Sequence, residues 1–334
     1  MDTSNSSNTK PTLAVVPIPV PGAFLEARVY GTGDESILLI HGGLGTPDYL
    51  APLAKSLAVS SRVITYDQRG SGNSYATNET YSLTYHLNDL ELVRAACAPE
   101  RSVHLFGHGW GCLLAQIYAS QQPHRVRSLF LCNPIAGLGK DWSKAERAFH
   151  RRTRKLPFPV PSRQTIAIHG PKKMRDRATR KIAQRLISHE TAFFPTGLKL
   201  APPPITQDWL AGINGDAMRK TRRALLRASS LLLDPKREPG FPVTVLHGEH
   251  GILTDEEDQL RARFPLAAHT TLENTGRQPW QQNPALFLDI LTKFLRTPVE
   301  LPKNTTSEQS EQSEQPERSK AENIAFSLPS DPAL

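Results

Sequence analysis

Apolar positions along the chain fall into short runs separated by segments of helical period. Runs at Phe24–Tyr30, Ser36–Ile40, Arg62–Tyr66, Ser102–Phe106, Val126–Cys132, Val243–His247 and His269–Glu273 read as strands. Several of them, such as SILLI and SLFLC, have almost no polar break, as expected of strands covered on both faces. Between them, Asp48–Val59, Thr84–Ala98, Trp110–Ser120, Glu256–Phe264 and Pro284–Arg296 repeat their apolar residues at helical spacing. Strands alternating with helices predict an α/β chain, a mostly parallel sheet with helices on both faces.

The alternation breaks between Pro134 and Pro239, where helical pieces, basic runs and proline clusters (LPFPVPS, APPPIT) replace it. It resumes at FPVTVLHGEHG. The pattern predicts a core of residues 24–133 and 240–297 with an inserted helical lid at 134–239. Residues 1–23 read as an N-terminal extension. Within it Leu13–Val20 is interrupted by Pro17 and Pro19, which suits neither a signal peptide nor a membrane span. Residues 298–334, with their Ser-Glu-Gln repeats, have nothing to bury and read as a disordered polar tail.

Charge sharpens the picture of the lid. The chain carries a net +8, yet Lys140–Glu190 alone holds 15 Lys and Arg against 4 Asp and Glu. That surplus of 11 leaves the remainder at −3. Such a local excess reads as a solvated helix face or, as the alternative, a surface for acidic partners. The basic run lacks a regular interleaving of aromatics, which argues against nucleic acid as the partner. No membrane partner is expected. Three cysteines, Cys97, Cys112 and Cys132, form no metal-like pair and suit a reduced, cytoplasmic setting. No motif calls for a cofactor or a metal.

The chemistry centres on three stretches that each follow a predicted strand or contain one: HGGLGTPDYL (His41–Leu50), VITYDQRGSGNS (Val63–Ser74) and GHGWGCLLA (Gly107–Ala115). In this order they resemble the α/β-hydrolase fold, and within it the proline iminopeptidase-like branch, whose motifs read His-Gly-Gly-Pro-Gly, Asp-Gln-Arg-Gly-Ser-Gly-x-Ser and Gly-His-Ser-Trp-Gly-Gly. The resemblance spans Phe24 to Arg296 and is weak in the lid. It implies a nucleophile elbow at Gly107–Gly111 that includes His108. It also implies an oxyanion pocket from the Gly42-Gly43 turn and the Trp110 amide at a helix N-terminus. Asp67 and Arg69 fit a structural turn beside that pocket.

Against this resemblance, all three triad positions are changed while their flanks are kept. The nucleophile position is Gly109. The acid position in Gly248-Glu249-His250-Gly251 is Gly251, and the histidine position in Glu273-Asn274-Thr275-Gly276-Arg277 is Arg277. Glycine suits a strained elbow and carries no hydroxyl. Cys112, His41, Glu249 and His250 are weak substitutes, and Asn133 has an amide where some relatives carry a carboxylate. The lid shows no acidic motif of the kind that holds a substrate's amino terminus. The expectation is therefore a catalytically degenerate protein with no intact triad. Its pocket, at Gly42, Gly43, His108, Trp110 and Arg277, is expected to bind a small anionic or apolar-anionic molecule. Whether it is an enzyme stays open. A non-hydrolytic lyase, cyclase or isomerase using Arg277 is one alternative, and a residual hydrolase or aminopeptidase with an unrecognised nucleophile is another. Arg277 needs a counter-charge, either a bound anion or Glu249.

Overall fold

Among the described residues, nine strands build one sheet: β1 (Leu13–Val20), β2 (Ala23–Tyr30), β3 (Ser36–Ile40), β4 (Arg62–Tyr66), β5 (Tyr75–Ala76), β6 (Val103–His108), β7 (Val126–Cys132), β8 (Val243–Gly248) and β9 (Ala268–Leu272). Their order is β1-β2-β4-β3-β6-β7-β8-β9, with β5 added to β2. From β4 to β9 every pairing is parallel, and β1, β2 and β5 pair antiparallel. The computed structural model describes residues 13–77, 80–135, 137–153, 166–167, 169–188, 206–229, 233, 239–251 and 257–297. All of these belong to one compact unit, Met1–Leu301. The expected polar tail, 298–334, lies outside the described residues.

The α/β expectation holds, with helices on both faces. Helices α1 (Ala51–Leu57), α2 (Leu83–Cys97) and α3 (Gly111–Gln121) belong to the first half of the core. Strand β3 shows how the faces divide: Leu38 and Ile40 join a cluster with Leu90, Leu114 and Ile117 of α2 and α3. Ile37 and Leu39 join the opposite cluster with Leu53 and Leu57 of α1. Side chains alternate across a strand, so a continuous apolar run is what two covered faces demand.

One sequence expectation is corrected here. Leu13–Val20 is not an extension but the edge strand β1, paired with β2 along its whole length. Ile18 and Val20 are buried while Pro17 and Pro19 face solvent. An edge strand has a free side where a missing N–H is no loss, so prolines that break a central strand are tolerated there.

The described residues of the segment expected as a lid, 134–239, include α4 (Lys140–Thr153), α5 (Lys172–Ser188), α6 (Gln207–Ala211) and α7 (Gly215–Arg227). The Asn214 side chain caps α7 by accepting the Asp216 and Ala217 amides. The same residue pins the lid to the core: its N–H donates to the Gly45 carbonyl at 2.8 Å and its Nδ2 to the Gly70 carbonyl at 2.8 Å. Gly72 N–H donates to the Gly212 carbonyl at 2.9 Å. The chain then returns through β8, α8 (Glu257–Arg263), β9, α9 (Pro279–Gln282) and α10 (Pro284–Leu295).

Because β3, β6, β7, β8 and β9 run parallel, the loops after them share one edge of the sheet. That edge carries the Gly42-Gly43 turn, Gly109, Asn133, Gly251 and Arg277.

Candidate functional site

The turn between β6 and α3 is built on close backbone approach. A Cβ on Gly107 would lie 2.7 Å from the Cys112 Cα, and one on Gly111 would lie 2.2 Å from the Ile40 carbonyl oxygen. Gly109 differs. Its φ is +56°, yet a Cβ there meets nothing nearer than the Gly42 Cα at 3.8 Å. The backbone conformation favours glycine at this point, and the space for a side chain is open.

A hydrogen-bond relay ties this turn to its neighbours. The Tyr49 hydroxyl accepts the Gly42 N–H at 2.8 Å and donates to His108 Nδ1 at 2.5 Å. His108 Nε2–H donates to the Arg277 carbonyl at 2.8 Å. A carbonyl only accepts, so the proton sits on Nε2 and the tautomer is fixed. Burial and the nearby Arg277 charge lower the His108 pKa to about 3, so the ring is neutral. Burial raises the Tyr49 pKa to about 12, against the opposing charge and hydrogen bond of Arg277.

Asn133, at φ +45°, completes the frame. Its Nδ2 donates to the Gly276 and Arg277 carbonyls, both at 3.0 Å, and its Oδ1 accepts the Gly248 N–H at 2.9 Å. An amide offers both donors and an acceptor, which a carboxylate would not. Here it staples the ends of β7 and β8 to the loop that carries Arg277.

Above this edge lies a cavity of about 480 Å³, lined on its other side by residues of α4, α5 and α7. Gly43, Tyr49, His108, Gly109, Trp110 and Arg277 line its floor. From the lid, Trp142, Ala145 and Phe149 of α4, Ile182 of α5 and Met218 of α7 make its walls mostly apolar. Two lid residues on the wall are charged and paired. Arg222 donates from Nε and Nη2 to Glu146 at 2.5 and 2.6 Å, a bidentate contact between α7 and α4. Asp48 also borders the cavity; burial raises its carboxyl pKa, and its Oδ1 accepts the Leu50 N–H at 2.8 Å.

Of the residues named from sequence, the structure brings Gly43, His108, Gly109, Trp110 and Arg277 to one cavity. Gly42 stands one step behind: its N–H is held by Tyr49, and its carbonyl accepts from His41 Nδ1 at 2.7 Å. Gly251 is buried behind the wall, its N–H bonded to the Gly248 carbonyl at 2.9 Å. Glu249 is engaged by the Asn274 N–H at 2.9 Å and lies 3.5 Å from His250 Nε2. Cys112 is fully buried, its thiol aimed at the Cys132 carbonyl at 3.5 Å and its pKa raised by burial, so it does not replace a nucleophile. Asp67 holds the Asp48 and Asn73 amides and the Arg28 guanidinium, and Arg69 makes a buried bidentate pair with Asp89 at 2.6 Å. Sequence reasoning missed Tyr49, Glu146 and Arg222. The one available signal was the spacing of Trp142, Ala145, Glu146 and Phe149, which places all four on one helical face.

Comparison with known proteins agrees with this geometry. The family described as alpha/beta hydrolase fold matches residues 35–277. The proline iminopeptidase of Heyndrickxia coagulans is 32% identical over 130 residues, 38% of this chain and 43% of that protein. That of Lactobacillus delbrueckii subsp. bulgaricus is 37% identical over 139 residues, 39% of this chain and 45% of that protein. The chain thus spans about half the length of the curated relatives it matches. Among solved structures, Cfl2 from Burkholderia cenocepacia superposes with a TM-score of 0.65 at 17% identity, over 85% of this chain and 96% of that one. An enol-lactonase from Burkholderia xenovorans LB400 does so at 0.60 and 18%, over 84% and 100%. At these identities the structures establish the fold alone. Sheet order, elbow, cavity and family match together place this chain in the alpha/beta hydrolase fold family.

Proposed function

We propose that this protein is a catalytically degenerate member of its family whose cavity binds a small, anionic molecule with an apolar body. The observation that carries the reading is Gly109. The elbow keeps its left-handed backbone and its open space toward the cavity, and no side chain fills that space. A serine would fit; glycine leaves nothing to attack a carbonyl.

The remaining chemistry of the floor suits binding. The Gly43 and Trp110 amides stand where the family stabilises an oxyanion, Trp110 at the start of α3 where the helix dipole favours negative charge. Arg277 adds a permanent positive charge to the same cavity. The apolar walls suit the body of the ligand.

The test is turnover of p-nitrophenyl esters and proline amides by the purified protein, alongside mass spectrometry of any molecule that co-purifies. An oxyanion site without its triad accelerates by only about 10³–10⁴ over water, so trace turnover and a bound anion are expected. Robust wild-type turnover that survives Gly109→Ala and is lost in Trp110→Pro would overturn the reading.

A further inference from the structure

The lid separates its charges. On α4, Lys140, Lys144, Arg147 and Arg151 are exposed and recur at helical spacing, while Trp142, Ala145 and Ala148 on the other side are buried. On α5, Lys173, Arg177, Arg180 and Lys181 are exposed. On α7, which packs against both helices, Arg223 and Arg227 are exposed.

Three of the described acids of these helices face the other way, and the fourth, Asp141 in the first turn of α4, is half-buried. Glu146 takes Arg222, Asp216 takes Arg175, and Asp176 accepts the Gly215 N–H at 2.7 Å. These contacts lie in the seams between helices. Asp208, on the short α6, is exposed. Among the described residues, the outward faces of α4, α5 and α7 therefore carry a marked excess of cations, with Glu146, Asp176 and Asp216 committed inward. A solvated helix face of ordinary composition mixes both signs.

We infer that the solvent face of the lid docks an acidic polypeptide segment that carries apolar side chains among its carboxylates. Two observations select a peptide over a nucleic acid. The basic excess is local, since the chain outside Lys140–Glu190 sums to −3 and adds no net positive charge with which to follow a long polyanion. The cationic face of α5 also includes Met174, 51% exposed, a flexible apolar contact that a leucine side chain uses and a phosphate does not.

This surface is separate from the cavity ligand, and its test is separate too. Fluorescence anisotropy would follow three labelled probes at one salt concentration: a short peptide alternating glutamate and leucine, an all-glutamate peptide of equal charge, and a DNA duplex of equal charge. The alternating peptide binds tightest. The fourfold change Lys144→Glu, Arg147→Glu, Arg177→Glu, Lys181→Glu weakens it by about tenfold or more, because like charges then face each other. Met174→Ser weakens the alternating peptide and leaves the all-glutamate peptide unchanged. Should the fourfold variant lose its wild-type thermal midpoint, glutamine at the same positions serves instead. Equal binding by wild type and the charge variant sinks the proposal, as does a duplex that binds more tightly than the alternating peptide.

Discussion

His108 donates its Nε2–H to the backbone carbonyl of Arg277, 2.8 Å away and 169 residues later in the chain. The bond joins the elbow to the loop whose side chain supplies positive charge to the cavity. Tyr49 occupies the other ring nitrogen, so the Gly42 turn, the elbow and the Arg277 loop move as one unit.

Tyr49→Phe tests this frame. The change leaves the Gly42 N–H and His108 Nδ1 without their partner in a buried setting. Each unsatisfied buried group costs about 1–3 kcal/mol, so a loss of roughly 3 kcal/mol is expected in urea unfolding. A loss below about 1 kcal/mol would mean that the relay contributes little beyond packing.

Glycines in the elbow should respond unequally to alanine. At Gly109 only the positive φ resists, and Gly109→Ala should cost about 1–2 kcal/mol. At Gly111 the new methyl would sit 2.2 Å from the Ile40 carbonyl oxygen, a backbone atom that cannot turn away. That variant should lose about 3 kcal/mol or fail to fold. Equal thermal midpoints for the two would refute the assignment of space at Gly109.

Acid should weaken the fold through its buried histidines. Burial lowers both His86 and His108 to about 3. An unfolded chain's histidine titrates near about 6.5. Above that pH neither state binds the proton, and the stability of the neutral rings is fully present. As pH falls from about 6.5 toward 3 the unfolded chain takes protons that the folded chain refuses, so stability drops by up to about 1.4 kcal/mol per pH unit per histidine. His86 contacts Thr221 Oγ1 of the lid at 3.1 Å. Urea midpoints at pH 7 and pH 5 should therefore differ less in His86→Phe than in wild type, a comparison in which the carboxylates cancel. An unchanged difference would place the acid sensitivity elsewhere.

The strands buried on both faces were legible because their pattern is local. SILLI needs no partner to be read, and the elbow motif together with the Glu273–Arg277 flank pointed to Gly109 and Arg277, which line one cavity. Edge strand β1 was not legible, since Pro17 and Pro19 break a strand by local rules and only its place at the sheet's margin excuses them. Nor were the Tyr49–His108 and Glu146–Arg222 pairs, which span 59 and 76 residues. In a segment as basic as the lid, composition hides a single glutamate whose partner is fixed by tertiary packing.

Substitutions at two charged features of the cavity, Arg277 and the Glu146–Arg222 pair, should shift ligand affinity in opposite directions. Octanoate, octanol and phenyl phosphate serve as probes in calorimetric titrations. Arg277→Ala removes a cation from the floor and should weaken octanoate and phenyl phosphate by about tenfold to a hundredfold, the equivalent of about 1.5–3 kcal/mol for a charged hydrogen bond. Glu146→Gln has the reverse effect on charge: Arg222 loses its bidentate carboxylate and keeps its own charge on the wall. The free protein should then be less stable, because a poorly compensated charge is left in a partly buried site. A bound anion would relieve that cost, so octanoate should bind more tightly and raise the thermal midpoint further than it does in wild type. Octanol carries no charge and should respond weakly to either change. If octanoate and octanol respond alike to both variants, the cavity selects by shape alone and the anionic reading fails.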